Sequence, residues 1–186
     1  MAAPLPDERT AVVTGAGSRR GIGRATADRL ARKGWSVAIL DRDADGAAAV
    51  AAEVADRWEV AAIGLGADVS DEAAVDVAVG EVEARLPPIV GLANVAGVSS
   101  PVPFLDLTAA EWDRVFDINM RGTFLVTRRV LPGMVERELG RIVSVSSISA
   151  QRGGGTYSRS PTARPRPRSS GSAAPWRARW GRRASP

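Results

Sequence analysis

The run Thr10-Ala11-Val12-Val13-Thr14-Gly15 is apolar and β-branched, closes on glycine, and passes at once into a segment patterned as a helix. A short apolar run bounded by glycine predicts a buried strand. The segment from Gly21 to Gly34 sets Ile22, Ala25, Leu30 and Ala31 at helical spacing, with Gly34 as the stop. The alternation then repeats. Ser36 to Asp41 reads as a second strand, and the Ala-rich stretch to Trp58 as a second helix. Residues 59–70 carry a third strand and its exit, and residues 71–86 a third helix with Ser70 as N-cap and acids in its first turn. Residues 89–97 hold a fourth strand. A long helix over 108–139 is capped by Thr108 with Glu111 three positions on, and residues 141–147 form a fifth strand. Near-continuous apolar strands alternating with helices predict an α/β fold, a parallel sheet covered on both faces.

The 186 residues suit one domain with a real core. No run of about 18 apolar residues occurs. The start, MAAPLPDERT, lacks the charged-then-apolar order of a signal peptide, so a soluble cytoplasmic protein is expected. The sequence has no Cys and no His. Disulfides, thiolate ligands, the commonest metal ligand and a Ser-His-Asp mechanism are therefore excluded, and no metal site is expected.

The formal net charge of +4 conceals an uneven distribution. Residues 158–186 carry eight arginines and no Asp or Glu; without them, 17 of the 25 basic residues face 21 acidic ones, a net of −4. The body is mildly acidic and the basicity belongs to the tail. An arm for nucleic acid is one reading of such a block, with Trp176 and Trp180 available to stack on bases. A solvated segment is the preferred one, so nucleic acid is not the expected partner.

The chemistry starts at Thr14-Gly15-Ala16-Gly17-Ser18-Arg19-Arg20-Gly21-Ile22-Gly23, a glycine-rich turn at a strand-to-helix junction. Glycines there let backbone approach a pyrophosphate, and the helix N-terminus offers free N–H groups and a partial positive charge. Asp41 ends the second strand, near the roughly 20-residue spacing at which an acid binds adenosine ribose hydroxyls. Together these residues predict a dinucleotide site.

At this point the sequence resembles the short-chain dehydrogenase/reductase family. Thr14-Gly15 with Gly21-Ile22-Gly23 is similar to the family's cofactor loop, and Ala67-Asp68-Val69 to its adenine-contacting Asp-Val. Asn94-Val95-Ala96-Gly97 resembles the Asn-Asn-Ala-Gly element, Asn119 the active-site Asn, and Ser147 the catalytic Ser. These matches fall in order over about residues 10 to 150. The glycine loop is two residues longer than the common pattern, which leaves phosphate contacts by Ser18, Arg19 and Arg20 open, and Val95 replaces the second Asn.

The resemblance implies a Rossmann-like, doubly wound sheet in the order 3-2-1-4-5. It implies hydride transfer between a nicotinamide and a small alcohol or ketone. Ser147 would hydrogen-bond the substrate oxygen, and Asn119 would belong to a water-linked proton path. Asp41 favours NAD, since it repels a 2′-phosphate; Arg19, Arg20 and Arg42 keep NADP open. The substrate is not legible.

The family also needs a Tyr as general acid/base and a Lys a few residues on to lower its pKa. Tyr157 comes too soon after Ser147, and Pro161 stands where the Lys should be. The chain thus divides into a dinucleotide-binding domain over 1–157 and an Arg/Pro/Ser-rich tail over 158–186, expected to be disordered and translated out of frame. If the third base of each codon is read with the first two of the next, the codons from Pro161 on can spell Tyr-Ser-Ala-Ser-Lys-Ala-Ala-Val, at the spacing the family uses. Pro175 to Gly181 can likewise spell Met-Ala-Arg-Glu-Val-Gly. The alternative function is a catalytically dead dinucleotide-binding fragment lacking the Tyr/Lys pair. Loss of the last strands would leave the fifth as an apolar edge, so poor expression or aggregation is expected, and a family-type homo-oligomer is not.

Overall fold

Five apolar segments form the strands of one parallel sheet. The structure, a computed structural model, describes residues 5–147. In chain order the elements are β1 (Thr10–Thr14), α1 (Ile22–Ala31), β2 (Ser36–Asp41), α2 (Ala44–Trp58), β3 (Ala62–Gly66), α3 (Glu72–Arg85), β4 (Ile89–Asn94), α4 (Ala109–Phe116), α5 (Gly122–Glu136) and β5 (Arg141–Ser144). The strand order is β3-β2-β1-β4-β5, all neighbours parallel, as the doubly wound reading requires.

The period-two alternation of the strands divides the core between the two faces. Val12, Leu40 and Leu92 point to one side, where Val75, Val79 and Val82 of α3 and Val126, Val130 and Met134 of α5 cover them. Val13, Val37 and Ile39 point to the other, against Ala27 and Ala31 of α1 and Ala47, Val50 and Val54 of α2. Small residues bring α2 close: a Cβ on Gly64 of β3 would lie 2.2 Å from the backbone of Ala47.

Local signals set most boundaries. Gly34 takes φ +76°, which ends the turn after α1 as expected. The N-cap of α3 is Asp71, not Ser70: the Asp71 carboxylate accepts from the N–H of Ala73 and Ala74 at 2.9 and 3.3 Å. Ser70 is diverted, its Oγ donating to Asp68 Oδ1 at 2.6 Å. Thr108 caps α4 as expected, its Oγ1 accepting from Glu111 N at 3.2 Å. The reciprocal half of a capping box is missing, because the Glu111 carboxylate instead accepts from Arg114 at 2.7 and 2.9 Å. The single long helix expected over 108–139 is broken by a π-helical turn at Asp117–Arg121, between α4 and α5.

Strand β5 forms the sheet edge among the described residues, and its four residues are exposed. Ile142, Val143 and Val145 expose 38, 62 and 47% of their surface, the uncovered apolar edge expected from the sequence. The tail over 158–186 and Tyr157 lie outside the described residues. No helix among the described residues is long and apolar enough to cross a membrane.

Candidate functional site

The carboxyl ends of β1 and β4 meet where the strand order turns back, which opens a crevice between them. Thr14, buried at the end of β1, ties the two together: its Oγ1 accepts from the N–H of Val95 at 3.0 Å and of Ala96 at 3.1 Å. The chain then turns through Gly15 at φ +69°, where a Cβ would lie 2.5 Å from the Cα of Ala96. Only glycine permits this approach. Gly23, buried in the first turn of α1, completes the packing, since its Cβ would meet the Gly15 carbonyl oxygen at 2.3 Å. The α1 N-terminus, at Gly21 and the exposed Ile22, has no side-chain cap and no acid in its first turn. Its N–H groups are available to an anion.

The glycine-rich loop is fastened to the next strand and helix. Gly17 N donates to Asp41 Oδ2 at 2.8 Å, and a Cβ on Gly46 would meet Gly17 O at 2.5 Å. The loop thus seats on the end of β2 and the start of α2. Asp41 Oδ1 accepts from Asp43 N at 3.1 Å, so its carboxylate is fixed at the strand end. Beside it lies a cleft of about 610 Å³ lined by Ser18, Arg19, Arg20 and Arg24 on the loop and α1 side and by Asp43 and Glu53 on the other. Ser18 Oγ donates to Arg20 O at 2.8 Å, which shapes this wall. The cleft adjoins the β1–β4 crevice rather than covering it: no residue of Asn94 to Gly97 lines it.

Asp68 and Val69 follow β3. The Asp68 carboxyl accepts from the hydroxyl and the N–H of Ser70, and these bonds hold its pKa below the usual carboxylate range against a smaller cost of burial. Val69 is buried against α5, where a Cβ on Gly122 would meet its Cγ2 at 2.6 Å. Asn94 ends β4. Its Nδ2 donates to Thr127 Oγ1 at 3.0 Å and Ser144 Oγ at 3.4 Å, while Oδ1 is buried with no donor among the described residues. Asn119 sits in the π-helical turn and holds Val98 by two bonds, accepting from its N–H at 2.8 Å and donating to its carbonyl at 2.9 Å. A Cβ on Gly97 would lie 3.2 Å from Asn119 Oδ1, so Gly97 packs closely against this pairing. Ser147 follows β5 and is exposed.

The structure therefore brings Gly15, Gly23, Asn94, Ala96, Gly97 and Asn119 to one end of the sheet, with Asp41 and Asp68 at the ends of the adjacent strands. Sequence reading passed over Thr14 as a ligand-end clamp, Gly17 as the donor to Asp41, and Thr127 as the partner of Asn94. Thr14 was within reach, since a polar residue closing an otherwise apolar strand must find a partner.

Residues 9–160 match the family profile described as short chain dehydrogenase. The chain belongs to the short-chain dehydrogenase family. An uncharacterized short-chain type dehydrogenase/reductase of Sinorhizobium fredii is 43% identical to it over 149 residues, covering 80% of this chain and 59% of the relative. A 3-oxoacyl-[acyl-carrier-protein] reductase of Aquifex aeolicus is 38% identical over 132 residues, 71% of this chain and 53% of that protein. The crystal structure of a 3-ketoacyl-ACP reductase from Sinorhizobium meliloti superposes with a TM-score of 0.73 at 40% identity, over 77% of this chain and 55% of that one. The chain thus spans about half the length of the relatives it matches.

Acid sensitivity follows from three carboxylates in this short-chain dehydrogenase. Glu111 is held at about 2, chiefly by its bonds from Arg114 and then Ser100. Glu53, bonded by Arg24, and Asp68, bonded by Ser70, are also lowered. Groups with depressed folded pKa stabilise the protein above their unfolded values and lose that contribution as pH falls through the folded ones. The melting temperature is expected to fall steadily between pH 4.5, the ordinary value for Glu, and about 2. A flat profile measured by circular dichroism over that window would contradict it.

Proposed function

We propose that the chain binds a nicotinamide dinucleotide, NAD ahead of NADP, across the carboxyl ends of β1, β2, β3 and β4. In the complete enzyme, hydride would pass between that cofactor and a small alcohol or ketone. The close packing of Gly15 and Gly23 beside an α1 N-terminus that has no side-chain cap, at the switch in strand order, carries the reading. In this proposal the backbone of Gly15, Gly21, Ile22 and Gly23, with Ser18 and Arg20, receives the pyrophosphate. Asp41 takes the adenosine ribose hydroxyls, and Asp68 and Val69 flank the adenine. Asn94, Ala96 and Gly97 line the nicotinamide side. Ser147 donates to the substrate oxygen, and Asn119 holds the backbone through which a proton path would run. The bound nicotinamide supplies the hydride acceptor or donor. The relatives named as ketoacyl reductases support a carbonyl–alcohol couple. We propose a cytoplasmic enzyme without a nucleic-acid or membrane partner, whose nucleotide-binding domain runs over 1–157.

Catalysis needs a Tyr/Lys pair that this sequence does not place near Ser147: Tyr157 is its one tyrosine, and its one lysine is Lys33, in the turn after α1. The 186-residue form is therefore a binder without turnover. Asp41→Asn tests the cofactor assignment, because the amide keeps an acceptor for Gly17 N and removes the charge. NADH affinity is expected to fall about tenfold, a loss near 1.4 kcal/mol, with no loss for NADPH. Tighter binding of NADPH than NADH by the unaltered protein would overturn the preference.

A further inference from the structure

We infer that the coding sequence behind this chain has lost one nucleotide at the codon of Pro161, and that the missing Tyr/Lys pair and the cover for β5 are written in the adjacent frame. The inference rests on the oxidoreductase reading, and three independent observations carry it.

The first is structural. Parallel strands are ordinarily buried on both faces, yet β5 presents Ile142, Val143 and nearby Val145 to solvent. An apolar parallel edge of this kind is a template for misassembly unless further chain covers it. The second is where the family resemblance stops: the family match ends at residue 160, and the chain covers only 59% and 53% of the two relatives. The third is the code itself. From Pro161 onward this frame places prolines at 161, 165, 167, 175 and 186 and no acidic residue. Shifted by one base, the same nucleotides can read Tyr-Ser-Ala-Ser-Lys-Ala-Ala-Val without a proline, then Met-Ala-Arg-Glu-Val-Gly. Where the residue that follows is neither Arg nor Ser, it dictates the last two bases of the shifted codon and only the first base is free; where it is Arg or Ser, one of two codon families must also be used. The agreement begins at the position where the family match ends.

The shifted reading makes strict demands on the DNA. Codons 161 to 168 must read CCT-ACA-GCG-CGT-CCA-AGG-CCG-CGG, or close synonyms that preserve the shifted residues. Arg166 and Arg179 decide it, because the hidden Lys and Glu require AGA or AGG, and the Ala and Val that follow them require AGG at both. A CGN codon at Arg166 would put Ser, Pro, Thr or Ala where the Lys must be.

Sequencing the gene from an independent template tests this directly. We expect AGG at codons 166 and 179 and a T as the last base of codon 161; CGN at codon 166 overturns the inference and leaves the family assignment of residues 9–160 untouched. A gene with one nucleotide inserted after the second base of codon 161 gives the second arm. The restored protein is expected to be recovered soluble at several times the yield of the 186-residue chain. A stop codon early in the restored frame, or a restored protein that is no more soluble, counts against the inference. If the codons agree and the restored protein is soluble but binds neither NADH nor NADPH, the frame inference stands and the oxidoreductase reading fails.

Discussion

Gly23→Ala is expected to destabilise the protein by about 3 kcal/mol, the upper end of the range for overpacking, and to weaken dinucleotide binding at least tenfold. A single methyl suffices because of what surrounds it. Its carbon would stand 2.3 Å from the Gly15 carbonyl oxygen and 2.9 Å from the Ala16 Cα. Both obstacles are backbone, so no rotamer change relieves the clash. Relief requires lifting the β1–α1 loop off α1, and that loop is the backbone proposed to approach the pyrophosphate. Chemical denaturation and a nucleotide titration of the same sample measure both effects. Stability within about 0.5 kcal/mol of the unaltered protein would show that helix and loop do not pack as described.

Thr14→Val should cost about 2–4 kcal/mol, although the side chains are nearly the same shape. The hydroxyl oxygen serves the N–H groups of both Val95 and Ala96, and Thr14 is 1% exposed. Valine fills the space and leaves two donors without this acceptor, at about 1–3 kcal/mol for a fully buried group and less here, because Val95 and Ala96 are half-buried. The damage also falls on function, because Ala96 is the residue against which Gly15 closes. Thr14→Ser keeps the oxygen and is expected to recover most of the loss. Equal destabilisation by serine and valine would mean that the methyl, not the hydroxyl, matters.

The sheet was legible because each strand is a short apolar run and each helix carries its own period. Val12 and Val13 divide the core between the faces as alternation requires, and Gly34 stops the first helical segment with its positive φ. What stayed hidden depends on partners distant in sequence. Ser70 and Asp71 are both good caps; Asp68 captures the Ser70 hydroxyl and decides between them. Nothing local in Asp117–Arg121 announces a π-helical turn. The residues read as continuous helix, and the irregularity accompanies the bonds from Asn119 to Val98, 21 positions away. The site followed the same division. Gly15, Gly21 and Gly23 could be identified from spacing at a strand–helix junction. The clamp from Gly17 to Asp41 joins the loop to the next strand end, and the loop's additional length concealed it.

Binding of the nicotinamide dinucleotide to the folded 186-residue chain bears most directly on the account. NADH would be titrated while nicotinamide fluorescence is followed, with circular dichroism confirming that the α/β sheet is intact. The account predicts saturable binding, stronger than that of NADPH, and no turnover of alcohol or ketone. A folded chain that shows no saturable binding of either nucleotide would contradict it.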